Sequence, residues 1–450
     1  MITRKFFNEL RMRSPLQKAM LVVLCVRLFA AQFITPYNIL LDSYSYINFP
    51  FGDFFQLQLD GRTPVYPAII RICYVIFGEA NFYLAVTTLQ QLVGIISVVF
   101  LYKAIVLVFK NEKTAFWLTV LYGACPSVYS WDYCLLTESF ALSGTVIFLY
   151  MMMRYIKTPK FWLGATSVGL LFVLTFLRPT FLLFDAVLFA FWIGRLIFCK
   201  EERKLAIKLC VCSSAVFAVV VVYACIFYQS FGYYSISDPM PRQSLVTNIQ
   251  LEYYLESSNE LFTETVREGL MENGWSAWSA MAHVREVFTD VEIIEITNDY
   301  ISTHRLTYAK DMYDRAGSIA ETKFSNYYSY DYNSLLIGLL PFYKSFEAIL
   351  APIRIAHLYA IMFIELIIAL ALWVKTKRPP WVHLGLAIFL WGIVCSTILA
   401  TCDEYPRTLI CTLPLAYFAC AGYATKLYDR IFQQGGRSIT IQSEVDAEKV

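Results

Sequence analysis

Apolar residues fall in long runs along this chain, separated by short polar joints. Ten runs approach the about 20 residues that a helix needs to cross a bilayer: 16–35, 82–102, 114–131, 137–154, 161–178, 180–198, 206–229, 351–374, 381–401 and 408–425. Two others, 64–78 and 333–349, are shorter and interrupted by Pro64, Pro67, Arg71, Pro341 and Lys344, a pattern that suits helices lying at the interface. From about 230 to 335 the chain is polar and acidic. There, TNIQLEYYLESSNELFTETVREGLMEN and NDYISTHRLTYAKDMYDRAGSIAETKF place apolar residues three or four apart, which predicts helices. The tail GGRSITIQSEVDAEKV lacks that periodicity and is expected to be disordered. The expected fold is all-α and polytopic, with about ten transmembrane helices. A transmembrane module (1–229) carries juxtamembrane helices in a first outer loop (36–81). A mostly helical cap (230–350), C-terminal spans (351–430) and the tail (431–450) follow.

Sidedness comes from the basic residues of short loops. Arg4, Lys5, Arg11, Arg13 and Lys18 precede the first run, and Lys103, Lys110 and Lys113 follow the second. Arg154, Lys157 and Lys160 follow the fourth; Arg195, Lys200, Arg203, Lys204 and Lys208 follow the sixth. Lys375, Lys377 and Arg378 follow the eighth, and Lys426 and Arg430 the tenth. Every second boundary is basic, so both termini are expected in the cytoplasm. The opposite boundaries, expected outside, are 36–81, 132–136, 178–180, 230–350 and 402–407.

Composition agrees with this picture. Hydrophobic residues make up 58% of the 450 and charged residues 16%, more apolar surface than a soluble chain of this length could hide. A net charge of +2 argues against a nucleic-acid partner. The twelve cysteines lie mostly within apolar runs and none is in the polar segment, so no disulfide framework or zinc ribbon is expected. His283, His304, His357 and His383 form no ligand-like pair, and no P-loop, nucleophile elbow or dinucleotide fingerprint is present. Arg27 and Glu365 fall inside apolar runs and are expected to pair within the bundle.

The outer boundaries read LLDSYSY, DGRTPVYP, WDYCLLTE, LRPT and CDEYPR. They gather Asp42, Arg62, Asp132, Glu138, Arg178, Glu404 and Arg407 on one membrane face, with Tyr46 and Tyr66 beside the first two. Acids and guanidiniums at membrane depth are costly and mark a site. Each residue also has a structural role open to it. Asp42 could cap a helix starting at Ser43, Arg62 could snorkel to headgroups, and Glu138 would be favoured in a first helical turn by the dipole. In a site, Asp42 suits a general base or a cation ligand. Arg62, Arg178 and Arg407 suit a phosphate gripped by paired hydrogen bonds. Glu138 would bind sugar hydroxyls, a metal or one of the arginines.

In this order, an acid after the first span, R-T-P-x-Y-P, L-T-E opening the fourth span, R-P ending the fifth and Y-x-R before the last, the chain resembles the GT-C membrane glycosyltransferases. The likeness is to the branch of protein O-mannosyltransferases and lipid A aminoarabinose transferases. The resemblance implies a polyprenyl-phosphate-linked sugar as donor and inverting transfer to a glycan, lipid or protein hydroxyl outside a bacterial inner membrane. It places Asp42 at the family's catalytic or substrate-positioning acid. Arg62 and Arg407 fall near the donor phosphate, and Glu138 at the acid that opens the fourth span. Many members carry paired acids after the first span, whereas Asp42 is followed by Ser43; no metal site is assigned, although a divalent cation is compatible with the family. The cap matches neither a β-trefoil nor a tetratricopeptide repeat. Two other readings remain open: an O-antigen polymerase or ligase acting on diphosphate-linked glycans through Arg242, Arg267, Arg285, Arg305 or Arg315, and a transporter or lipid flippase.

Overall fold

The computed structural model describes residues 14–272, 274, 276–324, 328–400 and 405–447, with side chains described except at 239, 240, 400 and from 431 onward. Helices are the regular structure of the described residues, which show no strand and two isolated backbone bridges. Among the described residues, seven helical stretches are long and apolar enough to cross a membrane: Phe82–Phe109, Glu138–Lys157, Pro179–Phe198, Lys200–Phe231, Ile337–Thr376, Trp381–Leu399 and Tyr405–Arg430. The chain is an integral membrane protein of all-α architecture.

Three of the ten expected spans form shorter helices. α1 (Pro15–Ala30) has 16 residues, closed at its start by a Ser14–Gln17 capping box. At 1.5 Å per residue it is about 24 Å long, less than the roughly 30 Å hydrocarbon core. The third run forms α6 (Glu112–Gly123) and then breaks at Cys125-Pro126, where the proline ring disfavours continued helix in the residue before it. The fifth forms α9 (Phe161–Thr175), 15 residues long.

Between α1 and the first long span, α5 (Phe82–Phe109), lie three short helices: α2 (Leu41–Ile47), α3 (Phe51–Phe55) and α4 (Val65–Phe77). α4 buries Tyr66, Ile70 and Cys73 while Ile72, Val75 and Ile76 stay exposed. Such an outward apolar face suits a helix lying in lipid. After α7 (Pro126–Tyr129) come α8 (Glu138–Lys157), α10 (Leu182–Phe198) and α11 (Arg203–Phe231). α8 packs on α5 and α9, and α11 on α9 and α10.

The polar segment forms α12 (Pro239–Gln250), α13 (Glu260–Glu272), α14 (Ala277–Val287), α15 (Asp290–Thr303) and α16 (Arg305–Glu321). Phe262, Val266, Val284 and Ile293 are fully buried with Leu245 in a core of their own. α17 (Leu340–Leu350), α18 (Ile355–Thr376), α19 (Trp381–Ala400), α20 (Tyr405–Thr408) and α21 (Leu413–Ala447) complete the chain. α21 runs past residue 430, into the stretch for which the sequence predicts disorder. α16 packs on α18 and α19, where the Arg315 guanidinium donates to the Ile398 carbonyl at 3.3 Å.

Candidate functional site

The stretch LDSYSYI sets up the site through helical spacing. Asp42, Ser45 and Tyr46 are three and four residues apart, so α2 presents them together. All three meet Arg62. Its Nη2 lies 2.7 Å from Asp42 Oδ1, its Nε donates to Ser45 Oγ at 2.9 Å, and its guanidinium stands 4.9 Å over the Tyr46 ring. Leu41 and Tyr44 stay exposed. Asp42 is the second residue of its helix and makes no cap bond; its carboxylate is turned to guanidiniums instead.

The second Asp42 oxygen faces Arg407, whose Nη1 lies 2.5 Å from Oδ2 across 365 residues of sequence. Arg407 belongs to the short helix α20 and also pairs through Nε with Glu138 Oε1. Glu138 opens α8 and is fully buried. Its Oε1 is shared with Arg178 Nη1 at 2.8 Å, and its Oε2 accepts from the Thr137 hydroxyl at 3.3 Å. Arg178, just after α9, also donates through Nη2 to the Arg407 carbonyl at 3.2 Å, fixing the backbone that carries the central arginine. The outcome is a continuous ion chain, Arg62–Asp42–Arg407–Glu138–Arg178, drawn from five separate segments.

The chain alternates guanidinium and carboxylate, so each of the two acids lies between two arginines. Burial alone would raise the Asp42 carboxyl, but the Arg407 and Arg62 guanidiniums outweigh it and hold it below its ordinary value. Asp42 is also the accessible acid of the pair, its side chain about one-third exposed (33%) against 0% for Glu138. The exposed end of this ion chain, at Asp42 and Arg62, is where a ligand could reach it.

Tyr66 and Asp132 lie outside this chain. Tyr66 is a buried wall residue whose hydroxyl donates to Gln90 Oε1 at 2.8 Å and whose ring meets Tyr46 edge-on. Asp132 pairs with Arg27 at 2.6 Å and accepts from Ser139 Oγ at 2.5 Å, while Arg27 Nε donates to the Gly123 carbonyl. Gly94 on α5 is the close approach this pair requires, since a Cβ there would lie 2.8 Å from Asp132 Oδ2 and 3.1 Å from Arg27 Nη1. Arg27 therefore has its partner in the bundle, as does Glu365, which holds His383 at 2.7 Å and Tyr423 at 2.6 Å. Glu404 and its neighbour Asp403 fall outside the described residues.

Gln90 is a residue that sequence reasoning passed over. Its amide donates to the carbonyls of Trp131, Asp132 and Cys134 while its oxygen takes the Tyr66 proton, so one buried side chain ties α4 and α5 to the segment leading into Glu138. Asn38 does the same for the approach to Asp42: its N–H donates to Tyr133 O at 2.7 Å and its carbonyl accepts from Leu135 at 3.1 Å. The signal for Gln90 was its place, a glutamine pair inside an apolar run.

A divalent cation requires several free oxygen ligands. All four carboxylate oxygens of Asp42 and Glu138 are engaged by guanidinium or hydroxyl donors. Among the described residues no group of three or more His, Cys, Asp or Glu is placed to hold a metal ion. The oxygens of these two acids are turned to guanidinium and hydroxyl donors, and no step below is routed through a metal.

No family model matches the sequence, and no curated protein does. Two solved structures of the Archaeoglobus fulgidus oligosaccharyltransferase are similar in overall helical course. One, in complex with Zn and sulfate, has a TM-score of 0.49 at 13% identity, over 95% of this chain and 51% of that chain. The other, archaeal oligosaccharyltransferase AglB in complex with an inhibitory peptide and a dolichol-phosphate, has a TM-score of 0.46 at 12% identity, again over 95% and 51%. The chain spans about half the length of these structures. A likeness at this level carries no residue role from them to this chain.

Proposed function

We propose that the chain is a GT-C-type membrane glycosyltransferase that moves a sugar from a polyprenyl-phosphate donor to a hydroxyl on a glycan, lipid or protein at the outer membrane face. The observation that supports this reading is the ion chain, which brings the guanidiniums of Arg62 and Arg407 to the one-third-exposed Asp42 carboxylate. Two guanidiniums so placed suit the phosphodiester of a polyprenol-linked sugar, gripped by paired charge-assisted hydrogen bonds.

Arg62 and Arg407 grip the phosphate and, in doing so, release Asp42. An acceptor hydroxyl then attacks the anomeric carbon from the side opposite the phosphate. The new carbon–oxygen bond forms as the bond to the phosphate oxygen breaks, the hydroxyl proton passes to Asp42, and polyprenyl phosphate leaves. Negative charge grows on the phosphate through this step, so guanidiniums in a site shielded from water stabilise the transition state more than the ground state. Glu138 and Arg178 hold Arg407 at its working position.

Two arginines that a diphosphate-glycan polymerase would use are engaged elsewhere. Arg242 pairs with Asp238, and Arg285 makes two 2.9 Å bonds to Asp290. The test is transfer by the purified protein in vesicles, with matched polyprenyl-monophosphate and polyprenyl-diphosphate sugars and a mixed pool of hydroxyl acceptors. Release of polyprenyl phosphate from the first donor supports the reading. Turnover of the diphosphate donor alone contradicts it.

A further inference from the structure

The turn that carries Arg62 is held from two sides. On one side, the Val65 N–H donates to the Phe176 carbonyl at 3.2 Å, two residues before Arg178. On the other, the connection from α11 to α12 lies against it. There Leu59 is buried with Phe227, Tyr233 and Ile236, and the Asp238 N–H donates to the Gly61 carbonyl at 2.9 Å.

The contact between Asp238 and Gly61 is tighter than a hydrogen bond requires. A Cβ on residue 61 would stand 2.6 Å from Asp238 Cβ, 2.9 Å from Oδ2 and 3.1 Å from Cγ, all side-chain atoms. Asp238 cannot swing aside freely. It is buried, with Oδ2 paired to Arg242 one helical turn on and Oδ1 accepting from the Tyr233 hydroxyl at 3.3 Å. Arg285 and Asp290, from the neighbouring helices, act on the same carboxylate.

We infer that Asp238 is a positioning residue for Arg62: packed on Gly61, it fixes the turn that presents the guanidinium to Asp42 and to an incoming anion. This rests on the phosphate reading of Arg62 only for its consequence, since the seating itself is a contact between two named residues. The same contact joins the polar helical segment to the anion site, so that movement at the start of α12 is felt at Arg62. A glycine at 61 is what so close an approach demands.

The experiment is a variant series in the full chain in nanodiscs. It has two readouts: hydrogen exchange of the peptide spanning 58–66, and binding of a polyprenyl monophosphate. Asp238→Gly removes the Cβ, Cγ and Oδ2 atoms pressed on Gly61 and keeps the backbone hydrogen bond. It is expected to speed exchange in that peptide and weaken phosphate binding by about tenfold, the order expected when a guanidinium loses one charge-assisted hydrogen bond. Asp238→Asn, which keeps those atoms, should lose less on both readouts. Gly61→Ala should also weaken binding, and Gly61→Ala with Asp238→Gly should bind better than Gly61→Ala alone, since the second change removes the collision. In an Arg62→Ala background the loss caused by Asp238→Gly should vanish. Unchanged exchange in Asp238→Gly, or a binding loss that persists undiminished without Arg62, overturns the inference. If the unaltered protein binds no polyprenyl phosphate, the donor reading fails, while the exchange readout still decides the role of Asp238.

Discussion

Replacing Asp42 by asparagine separates its two assignments, because they push in opposite directions. In the resting site its carboxylate occupies Arg62 at 2.7 Å and Arg407 at 2.5 Å, the same groups a donor phosphate would use. A phosphate seated there would stand about 5 Å from that carboxylate. At an effective dielectric of about 20 the repulsion between two such charges is about 3 kcal/mol. Asp42 is one-third exposed, and water screening reduces this to about 1.5 kcal/mol. Since about 1.4 kcal/mol is tenfold in affinity, Asp42→Asn should bind a polyprenyl-phosphate sugar about tenfold more tightly. Turnover should fall about 100-fold or more, because the amide cannot take the acceptor's proton. The assay is donor titration in nanodiscs at low salt, where surface screening is weakest, together with single-turnover transfer. Weaker or unchanged donor binding would refute competition between Asp42 and phosphate for the arginines. Near-normal turnover would remove Asp42 from the role of base.

Arg407→Ala should weaken donor binding by 10-fold or more and abolish the salt dependence that this arginine contributes; unchanged affinity in the same titration would count against the phosphate assignment. Glu138→Gln removes the buried carboxylate that Arg178 and Arg407 share and should destabilise the protein by about 3–5 kcal/mol, read as a lowered thermal midpoint in detergent, more than Asp42→Asn does. Asp132→Asn should lower stability through Arg27 while leaving donor KM unchanged, which a donor titration of the folded fraction checks. The pH profile follows from the arginines. Their charge depresses the Asp42 carboxyl below 3.8, so its ionised form, and the stability that form contributes, persist above that value and are lost only as pH falls below it. The acid limb of kcat/KM should lie below pH 3.8 and move upward in Arg62→Ala.

The course of the helices was legible because apolar run length is set by bilayer thickness. One run that fell short did so for a visible reason, since Pro126 follows α6. The polar residues of alternate boundaries could be grouped from loop charge, which drew Asp42, Arg62, Glu138, Arg178 and Arg407 into one set. Their pairing could not be read. Glu138 in a first helical turn looks alike whether it faces headgroups or guanidiniums, and only the docking of α20 against α2 and α8 decides that. Asp132, six residues earlier, was grouped with Glu138 for the same reason, yet it pairs with Arg27. Gln90 stood out only as half of a glutamine pair in an apolar run, and Asp238 not at all, because contacts with carbonyls and with a glycine leave no spacing pattern in sequence.

The most direct test of the account is a structure of the protein in a lipid nanodisc with a polyprenyl-phosphate sugar analogue. The account requires the phosphorus to sit within hydrogen-bonding reach of Arg62 and Arg407, with Asp42 parted from at least one of them and facing the anomeric carbon. A phosphate bound elsewhere, with the Arg62–Asp42–Arg407 bonds intact, would contradict it.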